Sequence, residues 1–371
     1  MPPTAQHAVT ISAATHRVTL SSCHYLVTAW ARDHFGSWWT TSAEHPPYAG
    51  PLVEADVCPV EADELTQDVL ACRHESTRYA GASMIYRRTP GDVLLAAQPG
   101  EQVAYRYEPG GPLQIFGHDA LPVALAAARL VRERIRGQLL ADGWSMLHAS
   151  AVTDPDGRTV LALGPEGAGK TTVALLLARA GWSLLATDRV FVRRSGFRVR
   201  VLPWPTAASV GVGLLNSLGL YAAVADRVQG GDVLDPTQDQ RVTDALLSGS
   251  RTPVRTARGT ELRVRFHPGQ LADWLGLTLA TQGQATRLLF PTLTPDTTPA
   301  VRDEDPQLTP AHFVTRDTES RYPDVFELLP PAGGEQYTDQ TAAALRLLPC
   351  QALALSHDSD ANSSLLTKVT A

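Results

Sequence analysis

Residues 145–192 read SMLHASAVTDPDGRTVLALGPEGAGKTTVALLLARAGWSLLATDRVFV, and they contain the strongest motif in the chain. At the centre, GPEGAGKT (164–171) fits the pattern G-x-x-x-x-G-K-[ST]. The apolar run RTVLALG (158–164) predicts a strand, and the run after the loop predicts a helix from about Lys170 to Ala180, with Gly181 as its stop. A strand, a glycine-rich loop and a helix in this order predict a P-loop within an α/β fold.

The residue types of this loop suit the binding of phosphate groups. Glycines let the backbone curl so that its N–H groups point at the anion, and the following helix directs the positive end of its dipole there. Lys170 supplies a compact charge for the β- and γ-phosphates, and the Thr171 hydroxyl suits Mg²⁺. We therefore predict a site for ATP and Mg²⁺. The residues assigned to the nucleotide are Gly164, Glu166, Gly167, Ala168, Gly169, Lys170, Thr171 and Thr172.

Lysine is rare in this chain, which supports the motif. Of the 32 basic residues, only Lys170 and Lys368 are lysines. Most positions that need only a positive charge are therefore arginine. A lysine that persists inside a motif indicates a need for a compact ammonium rather than a broad guanidinium. Lys368 lies in the last few residues and is interpreted as incidental.

Asp188 is a candidate metal ligand or general base. It follows the apolar residues of a strand predicted over 183–192, soon after the P-loop helix. P-loop proteins place an acid at such a strand end, and its closeness to Lys170 is typical of small kinases rather than of motor or transport ATPases. An ordinary strand-end carboxylate is the alternative.

His148 is a second candidate, on a strand predicted over 145–152. The turn DPDG (154–157) should join this strand to 158–164 as an antiparallel hairpin, since a parallel neighbour would need a long crossover. Such pairing would bring His148 near the phosphate end of the loop. A lone histidine on a strand is more often structural, so both interpretations stay open on the residues alone.

Three parts are predicted along the chain. Residues 1–118 are interpreted as a β-rich N-terminal domain, 119–142 as a connecting helix and 143–371 as the domain of the P-loop. Within the last, the polar tract 226–259 is predicted as a mobile loop or lid, or else a solvated connection, and 292–338 as irregular. A helix followed by a strand is expected to close the chain.

The connecting helix has a clear amphipathic pattern. Apolar residues recur every fourth position from Val123 to Leu139, and Asp119 is a candidate N-cap. The helix is expected to pack on the P-loop domain. The polar residues expected on its other faces are Arg132, Glu133, Arg136 and Gln138.

Composition excludes several other functions. A hydrophobic fraction of 44% predicts a sizeable core, and a net charge of −6 with a pI near 6.0 argues against nucleic-acid binding. The N-terminus has no signal-peptide pattern, and no apolar run is long enough to span a membrane. The four cysteines show no CxxC pair, so neither a zinc site nor a disulfide framework is predicted. A cytoplasmic protein without membrane partners is expected.

Residues 144–205 resemble the catalytic core of the HPr kinase/phosphorylase family. The matching parts are a histidine-bearing strand, a hairpin turn, the P-loop, a helix ending at a glycine turn and a strand with an acid, here LHASAV, DPDGR, GPEGAGKTT, LLLARAGW and LLATDRVFV. The resemblance implies a mixed sheet with flanking helices, similar to phosphoenolpyruvate carboxykinase, and the residues before it add a smaller β-rich N-terminal domain to the expected fold. It also implies an ATP-dependent phosphotransferase.

The family phosphorylates a serine of a small carrier protein, and relatives such as lasso-peptide kinases act on a precursor peptide. By resemblance, Lys170 holds the phosphates, Thr171 and Asp188 bind the metal, Asp188 is also the base, and His148 lies beside the transferred phosphate. The sequence departs from the family in having Thr187 where the family has the first acid of a pair. The family's later glycine-rich signature has no clear match either. We therefore expect kinase activity without phosphorolysis, on an acceptor other than the sugar-transport carrier protein.

Two alternatives remain beside a kinase of a peptide or small protein. One is a small-molecule kinase, which a deep closed pocket would favour, whereas an open groove favours a peptide. The other is a nucleotide-binding regulator without catalysis, which Thr187 in place of an acid keeps open. The sequence also leaves a homo-oligomer open.

Overall fold

The computed structural model describes residues 7–48, 50–315, 318–319, 321–330 and 335–371. The described chain is an α/β protein with mixed sheets, and it divides into two compact units. Unit 1 comprises Met1–Gly143 and Thr315–Glu335, and unit 2 comprises Trp144–Val314 and Gln336–Ala371. Residues 315–335 thus cluster with unit 1, although the sequence places them in the P-loop domain.

Unit 1 is built on one mixed sheet, which has nine strands in the described part of the chain, in the order β3-β1-β2-β4-β9-β8-β7-β6-β5. The pairs β2–β4 and β4–β9 are parallel and the others antiparallel. The strands are β1 (His7–Ala13), β2 (His16–Ser22), β3 (Thr40–Ala43), β4 (Leu52–Val57), β5 (Glu75–Tyr79), β6 (Ala82–Arg88), β7 (Leu94–Gln98), β8 (Val103–Tyr107) and β9 (Leu113–Gly117).

Three helices cover this sheet within the described residues: α1 (Tyr25–Gly36), α2 (Pro59–Leu70) and α3 (Ala120–Ala141). The first two lie in the region for which the sequence predicts mainly strands. The α3 positions from Val123 to Leu139 with fourfold spacing are fully buried, as predicted. In unit 1, α3 packs on β2, β4 and β9. Its role as a connecting helix that packs on the P-loop domain stays a prediction.

The polar side of α3 also differs from the prediction. Arg132, Glu133 and Arg136 are buried rather than solvent-facing. Arg136 pairs with Glu133 at 3.1 Å and with Glu319 at 3.8 Å, and the Arg132 guanidinium lies over the Tyr322 ring at 5.1 Å. Segment 318–330 returns to α3 and supplies these partners. We refer to Arg132, Glu133, Arg136 and Glu319 as the α3 charge cluster.

Unit 2 contains a mixed sheet in the order β11-β10-β13-β14-β17-β19-β18, with β12 paired to β10. Because β17 pairs with both β11 and β14, the central strands close into a ring. The strands of this sheet are β10 (Ser145–Thr153), β11 (Arg158–Leu163), β12 (Ser183–Ala186), β13 (Arg189–Ser195), β14 (Arg198–Pro203), β17 (Gly283–Leu293), β18 (Ala300–Arg302) and β19 (Cys350–Leu355), while β15 (Ala208–Val210) and β16 (Val264–Phe266) form a separate two-stranded sheet. The first of these, β10, carries His148 and pairs antiparallel with β11, which confirms the predicted hairpin.

The turn of this hairpin follows from its residue types. Asp154 Oδ1 accepts hydrogen bonds from the backbone N–H groups of Asp156 at 2.9 Å and Arg158 at 2.8 Å. Gly157 adopts a φ of +83°, which favours glycine. The aspartate side chain and the glycine therefore reverse the chain within four residues.

Residues 183–192, for which the sequence predicts one strand, form two. β12 pairs with Ala151–Thr153 and β13 with Ser145–His148, and the register of β10 shifts between Ala151 and Val152. Thr187 and Asp188 lie in the bend between the two strands. Sequence hydropathy runs through this bend without a break, which is why it is missed.

In unit 2, the tract 226–259, for which the sequence predicts a loop or a connection, contains the end of one helix, which begins at Tyr221, and the whole of a second. Val224 and Val228 are buried on the first of them, and Val242 and Leu246 on the second. These few apolar residues have helical spacing, but the polar residues around them hide this pattern in the sequence. The helices are α4 (Lys170–Arg179), α5 (Val212–Ser217), α6 (Tyr221–Gln229), α7 (Gln240–Leu247), α8 (Pro268–Asp273), α9 (Glu335–Arg346) and α10 (Ser359–Thr370).

The end of the chain is a helix, α9, then a strand, β19, as expected, but the last helix, α10, is not anticipated by the sequence. Asp358 caps it by accepting from the N–H groups of Asp360 and Ala361, each at 3.0 Å. None of the described helices combines the length and the apolar character that a membrane span requires.

Candidate functional site

The P-loop connects the end of β11 to the start of α4, and its glycines adopt conformations that other residues resist. Gly164, Gly167 and Gly169 have φ values of +143°, +81° and +102°. A Cβ on Gly169 would also lie 3.3 Å from Leu355 Cδ1 at the end of β19. Both the backbone conformation and the close packing therefore require glycine at position 169.

The helix α4 begins at Lys170, directly after the loop. Its residues from Val173 to Ala178 are buried, so the helix is anchored in the core of unit 2. Its first turn leaves backbone N–H groups without partners inside the helix, and these point toward the loop. An anion in the loop would accept hydrogen bonds from them.

Lys170 lies across the loop that precedes it. Its ammonium donates to the carbonyl oxygens of Gly164 at 2.7 Å and Pro165 at 2.9 Å. Burial lowers the pKa of Lys170, while the negative charges of Asp188 and Glu166 oppose this fall. Asp188 and Lys170 are thus close enough to interact electrostatically, as the sequence-based assignment of both to one site requires.

The carbonyl oxygen of Thr187 links the bend between β12 and β13 to the strand β10 and the helix α4. It accepts a hydrogen bond from Ser150 Oγ of β10 at 2.6 Å and one from Thr171 Oγ1 of α4 at 3.5 Å. Thr187 is itself only 7% exposed. The backbone that precedes Asp188 is therefore held by the strand and the helix.

The Asp188 side chain is 62% exposed, and its Oδ2 lies 3.5 Å from Nε of Arg189. An exposed carboxylate can accept a proton from a molecule that approaches from solvent. Asp188 and Thr171 also provide a carboxylate and a hydroxyl, the oxygen ligands that Mg²⁺ prefers. The Thr171 hydroxyl contacts the residue that precedes Asp188, and the sharing of a metal by the two side chains stays a prediction.

His148 lies on β10, one residue before the pair Ala149–Leu163 with β11, and opposite Arg189 on β13. Continuing the β10–β11 register by one position brings His148 level with Gly164, where the loop begins. The histidine is half-buried. The fold therefore places it at the loop end of the sheet, next to the residue that follows Asp188.

Two residues that the sequence does not single out also interact electrostatically with the loop or with Lys170. Nη2 of Arg263 lies 3.9 Å from Glu166 Oε1, and the charge of Arg263 contributes to the lowered pKa of Lys170. His312 packs edge-on against Phe290, and burial and the charge of Lys170 both lower its pKa. Each lies far from residues 164–171 along the chain, and no recognisable sequence motif surrounds it.

The residues present fit a nucleotide phosphate and a magnesium ion. The loop glycines and the α4 N-terminus supply N–H groups for the phosphate, and Thr171 and Asp188 supply oxygen ligands for the metal. Across the described residues, no three His, Cys, Asp or Glu side chains converge on a metal position.

Comparisons with known proteins give a distant similarity. A scan against models of protein families finds no match, and a search of curated proteins finds none either. Among 63 matching chains of solved structures is the Hpr(Ser) kinase/phosphatase from Coxiella burnetii. The match has 12% sequence identity and a TM-score of 0.22, and it covers 41% of this chain and 66% of that one, just under two thirds. This chain is therefore only distantly similar to one kinase/phosphatase.

Proposed function

We propose that this chain is an ATP-dependent kinase that transfers the γ-phosphoryl group of ATP to a hydroxyl. The observation that carries the proposal is the convergence of an ammonium, a hydroxyl and a carboxylate on one glycine-rich turn. Lys170 and Thr171 begin α4, and the carbonyl that accepts from Thr171 belongs to the residue before Asp188. We assign unit 2 to the P-loop class of HPr kinase and phosphoenolpyruvate carboxykinase.

Each group has a separate task in this reaction. The P-loop N–H groups and Lys170 hold the phosphates. Thr171 and Asp188 would hold Mg²⁺, which would supply positive charge to balance the negative charge of the phosphates. Asp188 orients the acceptor hydroxyl and takes its proton. As the proton leaves, the acceptor oxygen bonds to phosphorus, and the bond from that phosphorus to the ADP oxygen breaks. His148, level with the start of the loop, is assigned a place beside the transferred group.

The acceptor in this proposal is a serine or threonine of a peptide or small protein. The Asp188 side chain is 62% exposed and Glu166 is 83% exposed, so the reacting edge faces solvent. A kinase of small metabolites encloses its substrate in a pocket that excludes water. An open carboxylate instead suits a hydroxyl presented on a chain that is itself too large to enclose.

Activity in the forward direction only also belongs to the proposal. Thr187 leaves Asp188 as the carboxylate of this bend. One carboxylate suffices to accept the proton of a hydroxyl. Phosphorolysis would require the site to bind inorganic phosphate as the nucleophile as well.

The test measures transfer and binding separately. Peptides and small proteins encoded next to this chain would be screened with radiolabelled ATP, and Asp188→Asn would be compared with wild type on any acceptor found. We expect Asp188→Asn to bind Mg-ATP normally in calorimetry but to lose transfer by about 10²-fold or more, the usual scale of general-base catalysis.

Thr187→Ala is the matched control, because its side chain cannot accept a proton and its carbonyl remains in place. It should transfer at close to the wild-type rate. Transfer by Asp188→Asn at the wild-type rate would move the base elsewhere, with His148 the next candidate. A wild-type protein that binds Mg-ATP tightly but neither hydrolyses nor transfers it would favour the non-catalytic regulator.

A further inference from the structure

Arg263 contacts the P-loop from a distant part of the sequence. Its Nη2 atom lies 3.9 Å from Oε1 of Glu166, the third residue of the loop. The positive charge of Arg263 also acts on Lys170. The guanidinium therefore lies at the mouth of the loop, within electrostatic reach of the lysine that would hold the phosphates.

The backbone, rather than the ion pair, fixes this position. Gln238 Nε2 donates to the Arg263 carbonyl at 3.2 Å, and the N–H of Leu262 donates to the Val254 carbonyl at 2.7 Å. The next residue begins β16, which pairs with β15. The chain is thus held on both sides of Arg263, and the guanidinium is delivered to the loop by the fold.

The ion pair with Glu166 holds the guanidinium only weakly. The side chains of Arg263 and Glu166 are 35% and 83% exposed, and water screens such pairs strongly. A γ-phosphoryl group carries more negative charge than one carboxylate and offers oxygens that match the fork of an arginine. A nucleotide in the loop would therefore draw Arg263 away from Glu166.

We propose that Arg263 is a catalytic residue of the phosphoryl transfer, an arginine supplied by the same chain that binds the γ-phosphoryl oxygens in the transition state. This inference rests on the proposed function. In the step, the acceptor oxygen bonds to phosphorus, the bond from phosphorus to the ADP oxygen breaks, and the hydroxyl proton goes to Asp188. Arg263 forms no covalent bond and stabilises the charge spread over the equatorial oxygens.

A transition-state mimic tests this role without an acceptor. Calorimetry would compare the affinities of wild type, Arg263→Ala and Arg263→Lys for Mg-ADP alone and for Mg-ADP with aluminium fluoride. We expect Arg263→Ala to bind Mg-ADP with the wild-type affinity. Its affinity for Mg-ADP with aluminium fluoride should fall by about 10³-fold, which is the lower end of the rate effect of such arginines. Arg263→Lys should recover only part of this, because lysine lacks the fork.

Arg258→Ala is the matched control, an exposed arginine five residues earlier in the same segment. It should behave as wild type, and thermal unfolding would show that each variant is folded. Wild-type affinity of Arg263→Ala for the aluminium fluoride complex would overturn the proposal, as would an equal loss with Mg-ADP alone. Failure of the wild-type protein to bind Mg-ATP would instead overturn the proposed function, which keeps the two failures distinct.

Discussion

The α3 charge cluster of unit 1 and the P-loop edge of unit 2 both bring charged side chains together, but in opposite environments. In the cluster, the side chains of Arg136, Glu133 and Glu319 are between 1% and 8% exposed, and each is paired with another. At the P-loop edge, Asp188 and Glu166 are 62% and 83% exposed. The charged side chains of the α3 charge cluster are therefore buried, whereas the carboxylates beside the glycine-rich loop are exposed.

This difference separates structural charge from chemical charge. Burial raises the pKa of Glu133, and the charges of Arg136 and Arg132 oppose that rise, so the buried groups depend on one another. Removing one partner leaves an uncompensated charge in the interior. At the P-loop edge, water compensates the exposed side chains, so they are free to exchange their partners for a ligand.

Removing one charged partner from the α3 charge cluster should have the largest energetic effect of the changes considered. Arg136→Met should reduce the free energy of unfolding of unit 1 by about 3–5 kcal/mol, the usual loss when one partner of a buried pair is removed. Urea unfolding followed by circular dichroism would measure it. Arg241→Met, which removes an exposed pair with Asp239, is the control and should leave the midpoint unchanged. Equal midpoints for the two variants would show that burial does not distinguish these pairs.

Removing the loop lysine should affect ligand binding and leave stability unchanged. Lys170→Ala should weaken Mg-ATP binding by about 10²-fold, because it removes charge-assisted hydrogen bonds to phosphate. Calorimetry would measure the affinity and thermal unfolding the stability. Lys368→Ala removes the other lysine of the chain and serves as the control. Unchanged affinity in Lys170→Ala would refute the assignment of the site.

A methyl group added to Gly137 of α3 should destabilise unit 1 without altering any charge. A Cβ on Gly137 would lie 2.0 Å from the Leu328 carbonyl oxygen, so the helix and segment 318–330 must separate. Gly137→Ala should cost about 1–3 kcal/mol of unfolding free energy, the range of overpacked cores. Gly213→Ala, where a Cβ meets no atom within 4 Å, is the control in the same urea assay. A stable Gly137→Ala variant would mean that this segment is loosely held.

Neutralising the exposed loop carboxylate should have the smallest effect. Glu166→Gln should tighten Mg-ATP binding by about 2- to 5-fold, since it removes a screened negative charge near the phosphates and frees Arg263. Calorimetry at low and high salt would measure this gain, which should shrink as salt is added. Weaker binding by Glu166→Gln would indicate that the carboxylate supports the nucleotide directly.

Structural features that depend on a few consecutive residues could be predicted from the sequence. The strand β11, the glycine-rich loop and the helix α4 follow one another in the predicted order, and the antiparallel hairpin at 154–157 is present, because both features depend on local residue types. The end of α6 and the whole of α7, which lie in 226–259, were harder to predict from the sequence, because the apolar residues there are few and lie among glycine and aspartate. The bend at Thr187 was hidden too, since its carbonyl bonds to Ser150 and Thr171, which are distant in sequence.

The sequence alone determined the motif chemistry of the chain: a glycine-rich turn, a lysine, a hydroxyl and an acid in fixed order, because each depends on its residue type and on near neighbours. Only the tertiary structure showed that Arg263 approaches Glu166 of the loop, that the charge of Lys170 acts on His312, and that Arg136 and Glu133 are interior. These facts arise from strand pairing and helix packing between segments distant along the chain. No local pattern encodes such contacts, because their energy depends on which surfaces meet when the chain is folded.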